Sequence, residues 1–171
     1  DVYKRQSYFR AIGANQVYGA SARGLAIGMG LPDEEFPAFE RFWIEKPRRG
    51  ARTITVYALL DSPSVAGAYR FDVRPGRVTI VDVVARVFAR DTFDEVGIAP
   101  LTSMYFYGRN GPQQFQGERP EVHDSDGLLI KNGSVEWVWR PLWNPKALSL
   151  STFEMESLGG FGLMQRDRDP N

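Results

Sequence analysis

The sequence predicts an all-β protein, an antiparallel β-sandwich or barrel, from three observations. Short segments rich in β-branched and aromatic residues follow one another along most of the chain. Glycine, proline, asparagine and aspartate stand between these segments. No long helical segment separates them, so the strands are expected to pair antiparallel with near neighbours. The 171 residues show no repeat or linker, which predicts one domain or part of one.

The strands are predicted from side-chain alternation and from the turn residues that bound them. In order, they are 7–12, short strands within 17–29, 53–60, 66–73, 78–90, 102–107, 128–130, 135–142, 148–156 and 161–165. Arg74-Pro75-Gly76-Arg77 is typical of a turn, and Asn132-Gly133 of a β-hairpin. One helical turn is expected within 36–43, capped by the acidic residues 33–35, and a short helix or loop within 91–100.

The composition narrows the possible functions. Hydrophobic residues make up 43% of the chain and aromatic residues 13%, which excludes a disordered chain. The 21 basic and 21 acidic residues cancel, so a nucleic-acid partner is not predicted. Cysteine is absent, and no apolar run reaches the roughly 18 residues of a membrane span. Neutral charge with many aromatic residues suits an uncharged ligand such as a sugar.

The groups best able to move protons lie in one stretch, 119–127. It holds the only histidine, His123, followed by Asp124 and Asp126. Two interpretations stay open: a site of proton transfer, or a turn in which Asp124 and Ser125 bond to the local backbone. The spacing matches no familiar metal-ligand pattern, so neither a metal nor a cofactor is predicted. A serine hydrolase is disfavoured because no Gly-x-Ser-x-Gly elbow is present.

Aromatic residues form the second candidate group. Trp137 and Trp139 fall on one face of a predicted strand, and Arg140 falls on the other. Tyr105 lies in the aromatic segment 102–107. Such rings stack on the C–H faces of sugars, and arginine binds hydroxyls, so these four residues are candidates for substrate binding. The alternative is that the rings fill the core of the sandwich.

Seven motifs follow one another along the chain. They are SARGLAI (21–27), EFP with FW (35–37 and 42–43), VYALLDS (56–62), GIAPLTSM (97–104), HDSDG (123–127), EW with RPL (136–137 and 140–142) and GFGLMQRDRD (160–169). In this order they resemble the periplasmic glucan biosynthesis proteins G and D, over about residues 7–169.

The resemblance implies a fold and a place within a larger protein. The large N-terminal domain of the family is a β-supersandwich like that of galactose mutarotase, followed by an immunoglobulin-like domain. Residues 7–171 are expected to be the central part of the large domain, truncated at both ends. Residues 1–6 (DVYKRQ) read like a translated sequencing adapter. The parent is expected to carry a signal peptide and to be periplasmic.

The resemblance also implies an activity. Family members act as endo-β-1,2-glucanases with inversion, which makes β-1,2-glucan the expected partner and a membrane glucan synthase a further candidate partner. Asp124 matches the general base, with His123 and Asp126 as supporting residues, and the general acid is expected beyond Asn171. The fragment alone is expected to be inactive. The rival expectation is a non-catalytic glucan-binding scaffold.

Overall fold

The computed structural model describes residues 7–17, 19–109 and 119–166, which form antiparallel strands and no helix. The chain divides into two compact units, Asp1–Thr102 and Ser103–Asn171. The strands are β1 (Tyr8–Phe9), β2 (Ser21–Arg23), β3 (Leu25–Ile27), β4 (Ala38–Ile44), β5 (Ile54–Asp61), β6 (Val65–Arg74), β7 (Ile80–Ala89), β8 (Val96–Ile98), β9 (Leu101–Thr102), β10 (Tyr105–Tyr107), β11 (Val122–His123), β12 (Gly127–Asn132), β13 (Trp137–Pro141) and β14 (Leu158–Met164). The predicted all-β, antiparallel class is confirmed. Within the described part of the chain, no helix has the length and apolar character of a bilayer span.

The first unit is built on a four-stranded meander in the order β4-β5-β6-β7. Each strand pairs with its neighbour in sequence, through the connections 45–53, 62–64 and 75–79. The last connection contains the turn predicted at Pro75-Gly76. Alternating apolar and polar residues on β5 and β6 give the sheet one apolar face and one polar face.

The core of the first unit lies on the apolar face of the meander. Leu60 and Val65 are fully buried, and Leu25 of β3 packs in the same cluster. The hydroxyl of Tyr69 donates a hydrogen bond of 2.8 Å to the Gly24 carbonyl. A Cβ at Gly24 would lie 2.7 Å from Leu60 Cδ1, so this close packing requires glycine. Burial of each large side chain stabilises the unit by about 1.5–3 kcal/mol.

The polar face of the meander carries an ion network. Asp72 on β6 lies directly opposite Asp82 on β7, an unfavourable pair of like charges. Arg70 pairs with Asp72 at 3.0 Å, and Arg74 pairs with Asp82. A hydrogen bond from Thr55, followed by the charge of the arginines, lowers the pKa of Asp72. The arginines therefore compensate for the opposed carboxylates.

Two acidic residues before β4 are fixed by polar contacts. Glu34 forms a 2.8 Å ion pair with Arg23, and both side chains are largely buried, at 13% and 7% exposed. Glu35 accepts hydrogen bonds from the Ser62 hydroxyl and from the N–H (3.1 Å) and hydroxyl (2.6 Å) of Ser64. Burial raises the pKa of Glu35, but the hydrogen bonds outweigh it and the net pKa is lowered.

The second unit contains the sheet β13-β12-β14 and the pair β10-β11. β12 and β13 form the hairpin predicted at Asn132-Gly133. Asn132 Oδ1 accepts hydrogen bonds from the N–H and hydroxyl of Ser134 and from the N–H of Glu136, and Val135 has a φ of 75°. The asparagine side chain thus closes the turn.

Four sequence-based expectations differ from the structure. The helical turn within 36–43 is wrong, because Ala38–Ile44 pairs with β5 along most of its length. The strand at 148–156 is wrong, because that described segment pairs with no strand and Leu148 is fully exposed. The segment 91–100 contains a strand, β8, which pairs with β3. The strand at 102–107 is divided into β9 and β10, which pair with different strands.

Candidate functional site

The site is built on the pairing of β10 with β11, which places Tyr105 opposite His123. Their rings stack at 5.4 Å between centroids with an interplanar angle of 22°. Gly108, just after β10, lies under the imidazole, and a Cβ there would be 2.7 Å from His123 Cδ2. The absence of a side chain at Gly108 is therefore what allows the ring to lie against the backbone. The structure brings two predicted site residues, Tyr105 and His123, into direct contact.

His123 connects two carboxylates. Its Nε2 lies 2.7 Å from Glu121 Oε2 and 3.8 Å from Asp126 Oδ1, and the imidazole is 10% exposed. Ionised carboxylates only accept hydrogen bonds, so the short contact requires a proton on Nε2. Nδ1 is buried and has no hydrogen-bond partner among the described residues. The tautomer with its proton on Nε2 has a lone pair on Nδ1, so no unsatisfied N–H is buried at that atom.

Two arginines complete this network. Arg109 Nε lies 2.7 Å from Glu121 Oε1, and the backbone N–H of Arg166 donates to Asp126 Oδ2 at 2.7 Å. The Asp126 side chain is 6% exposed, and the Arg166 N–H satisfies one of its two carboxylate oxygens. Arg109, Glu121, Asp126 and Arg166 line a cavity of about 370 Å³. The cavity is polar, with both hydrogen-bond donors and acceptors on its wall.

Asp124 is held by the backbone of Met104. Its N–H donates to the Met104 carbonyl at 2.8 Å, and its Oδ2 accepts the Met104 N–H at 3.0 Å. Its own carbonyl accepts a hydrogen bond of 2.9 Å from Gln165 Nε2. The side chain is half-buried. These partners lie 20 residues or more from Asp124 in sequence, so they are long-range contacts and not the local turn bonding considered above, and they give the carboxylate a fixed position.

The other predicted binding residues are dispersed along β13. The ring of Trp139 lies over Gly127, where a Cβ would be 2.5 Å from Trp139 Cζ2. Trp137 is 58% exposed and carries the Lys131 ammonium over its ring at 5.6 Å. Arg140 lies over the ring of Phe153, at 5.0 Å. The ring of Trp139 thus lies over the residue that follows Asp126 in the sequence. Trp137 and Arg140 instead contact Lys131 and Phe153.

One donor set at this site has the size of a cation site. The ligand atoms of Glu121, His123 and Asp126 lie within 4.8 Å of one another. Glu121 already accepts a hydrogen bond from Nε2 and forms the ion pair with Arg109, so its charge is compensated without a metal. A cation there would have to displace the proton from Nε2. The contacts that the structure shows hold the imidazole in place.

Sequence reasoning assigned no role to Glu121 or Arg109. Glu121 stands two residues before His123, the spacing that places alternate strand residues on one face. That spacing could have identified it. Arg109 reaches the site only because β10 and β11 are paired, which no local pattern in the sequence shows.

A comparison with protein families gives one finding. The model of a family described as periplasmic glucan biosynthesis protein, MdoG, matches residues 2–171, nearly the whole chain. The seven motifs pointed to the same family.

Proposed function

Since the chain belongs to the MdoG family and has its role in periplasmic glucan biosynthesis, we propose that its intact parent hydrolyses β-1,2-glucan with inversion. In this proposal Asp124 is the general base. The observation that carries it is the HDSDG motif, whose Asp124 is half-buried and fixed by two hydrogen bonds to Met104. Because the family is described as periplasmic, we also propose an exported parent.

The reaction needs two carboxyl groups. An inverting glycosidase uses a carboxylic acid to protonate the leaving oxygen and a carboxylate to activate water on the opposite face of the sugar. Asp124 suits the second role because the Met104 N–H donates a hydrogen bond to its carboxylate and so holds it in one position. The general acid would come from outside the described residues.

The surrounding groups suit a neutral polyhydroxyl substrate. The cavity of about 370 Å³ presents the carboxylates of Glu121 and Asp126 beside Arg109 and Arg166. Sugar hydroxyls both donate and accept hydrogen bonds, so a wall of mixed polarity can satisfy them. Trp139, whose ring lies over Gly127, the residue after Asp126, is the candidate for stacking on a sugar ring.

One observation favours a second candidate function, a non-catalytic glucan-binding scaffold. Asp124 exchanges hydrogen bonds with Met104 through both its backbone and its carboxylate. These two hydrogen bonds would also form in a protein in which Asp124 only fixes the shape of the loop and takes no part in catalysis. Such a scaffold would bind glucan through the same cavity and leave its linkages intact.

The test is hydrolysis of linear β-1,2-glucan by the full-length parent. We compare the wild type with Asp124→Asn, and use Asp94→Asn, an exposed aspartate, as the matched control. Loss of a general base lowers kcat by about 10²–10⁴-fold, whereas the control should keep the wild-type rate. NMR of the first product gives its anomeric configuration, which inversion predicts to be α. Equal rates for wild type and Asp124→Asn would refute the role of Asp124, and glucan binding without any hydrolysis would favour the scaffold.

A further inference from the structure

The edge strand β7 carries an unusual pattern. Within the described residues β7 pairs with β6 alone, so its other edge has no strand partner. Its ten residues contain no proline, and its pairing with β6 has no bulge. Edge strands are usually protected by such features, because an open edge pairs readily with another strand. At the opposite edge of the sheet, β4 does have an irregularity, between Phe39 and Arg41.

The exposed residues of β7 are mostly apolar. Ile80 is 49% exposed, Val84 54% and Phe88 60%, and all three lie on one face of the strand. On the same face, Asp82 and Arg86 interrupt the apolar residues. Asp82 is exposed and pairs with Arg74, while Arg86 is exposed and forms no ion pair with any described residue.

This strand is complementary to itself. In an antiparallel pair of two copies centred on Val84, every position meets a residue of matching chemistry. On the even-numbered face Ile80 meets Phe88, Asp82 meets Arg86 and Val84 meets Val84; on the other face Val81 meets Val87 and Val83 meets Ala85. Each match occurs twice about the twofold axis, except that of Val84 with Val84, which lies on the axis and occurs once.

Neighbouring registers lack this match. A shift of two residues in one direction places Ile80 opposite Arg86, and in the other direction it places Asp82 opposite Phe88. Larger shifts bring Asp82 against Asp82 or Arg86 against Arg86. A shift of one residue would place the even-numbered face of one copy beside the odd-numbered face of the other, so Asp82 and Arg86 of the two copies would lie on opposite sides of the joined sheet. One register is therefore strongly favoured.

From this charge and apolar complementarity we propose that the chain forms a twofold symmetric dimer by antiparallel pairing of β7 with β7 of a second copy. The two meanders then join into one continuous sheet. The paired strands cover the apolar positions of β7, and Asp82 of each copy forms an ion pair with Arg86 of the other.

Charge reversal tests the register as well as the dimer. Asp82→Arg leaves two pairs of arginines facing each other, and Arg86→Asp leaves two pairs of aspartates. Each variant alone is expected to raise the dimer dissociation constant roughly tenfold or more. The double variant Asp82→Arg/Arg86→Asp restores both ion pairs and should dimerise. Mixing the two single variants should give a heterodimer, because each then offers the charge that the other lacks.

The measurement is light scattering after size-exclusion chromatography at several concentrations of the 171-residue chain, with circular dichroism to verify the strand content. Glu40→Arg, which changes the charge equally on the exposed edge strand β4, is the control and should dimerise like the wild type. Because Asp82→Arg also removes the partner of Arg74, Arg86→Asp serves as the variant that keeps that ion pair. A monomeric wild type would overturn the proposal, as would single variants that each dimerise as tightly as the wild type, or a mixture of the two that associates no more tightly than either variant alone.

Discussion

Gly108 is the position where a single added methyl group should disturb the candidate site. A Cβ there would lie 2.7 Å from His123 Cδ2, 2.9 Å from Nε2 and 3.2 Å from the Tyr105 hydroxyl. Ordinary contacts between carbon atoms are about 3.5–4.0 Å, so the imidazole must move by roughly 1 Å. Such overpacking costs about 1–3 kcal/mol. The same movement would lengthen the 2.7 Å contact between His123 and Glu121.

A control variant separates this clash from the general effect of replacing glycine. Alanine also reduces the conformational entropy of the unfolded chain, which stabilises a protein by about 0.4–1 kcal/mol. Gly162 on β14 has no atom within 4 Å of a Cβ, so Gly162→Ala carries the entropy effect without the clash. The two variants should therefore differ by about 1–3 kcal/mol in free energy of unfolding, or roughly 2–12 °C in Tm.

Thermal unfolding gives the stability, and NMR gives the position of the ring. His123 is the only histidine, so in protein without a histidine tag its imidazole signals are unique. Gly108→Ala should shift them, and Gly162→Ala should leave them unchanged. If the two variants melted within 1 °C of each other and shared the wild-type imidazole shifts, the packing argument for Gly108 would be wrong.

Substitutions at three positions test the first unit. Tyr69→Phe removes the donor to the buried Gly24 carbonyl and should cost about 1–3 kcal/mol in chemical denaturation; an unchanged midpoint would contradict this. Glu34→Ala leaves the buried Arg23 charge unpaired, with an expected cost of about 3–5 kcal/mol, and Glu34→Gln should cost less because it can still accept a hydrogen bond. Because the pKa of Glu35 is lowered on folding, its contribution to stability is present above the unfolded value of 4.5 and is lost as the pH falls through the folded pKa. Glu35→Gln should therefore flatten the acid side of the stability curve, and identical curves for variant and wild type would refute that assignment.

The fold was predictable where local signals and pairing agree. The turn at Pro75-Gly76 and the hairpin at Asn132-Gly133 join strands adjacent in sequence, so alternation and turn residues were sufficient. The helical turn expected within 36–43 is wrong because the acidic residues expected to cap it bind Arg23 and two serines, Ser62 and Ser64. Tertiary contacts there outweigh local helix preference.

The candidate site was predictable only in part. The i, i+2 spacing of Glu121 and His123 agrees with the 2.7 Å contact between their side chains, whereas the assignment of the site to the motif around His123 stays a prediction. The approach of Arg109 and the space above Gly108 depend on how β10 lies against β11. β10 and β11 are separated by residues 108–121, and the pairing of strands that are not joined by a short turn depends on tertiary contacts that local patterns do not show. The catalytic role of Asp124 stays a prediction.

The order of strands in the first unit also has a kinetic consequence. In the meander every strand pairs with the next one in sequence, so its contacts close short loops and form at low entropic cost. The pairing of β2 with β9 instead joins residues such as Ser21 and Thr102, which are 81 positions apart. We expect the meander to nucleate folding and the pairing of β2 with β9 to form later. Destabilising substitutions in β6 should therefore slow folding, while those in β2 should mainly speed unfolding. Stopped-flow rates for conservative variants in the two strands would distinguish these effects.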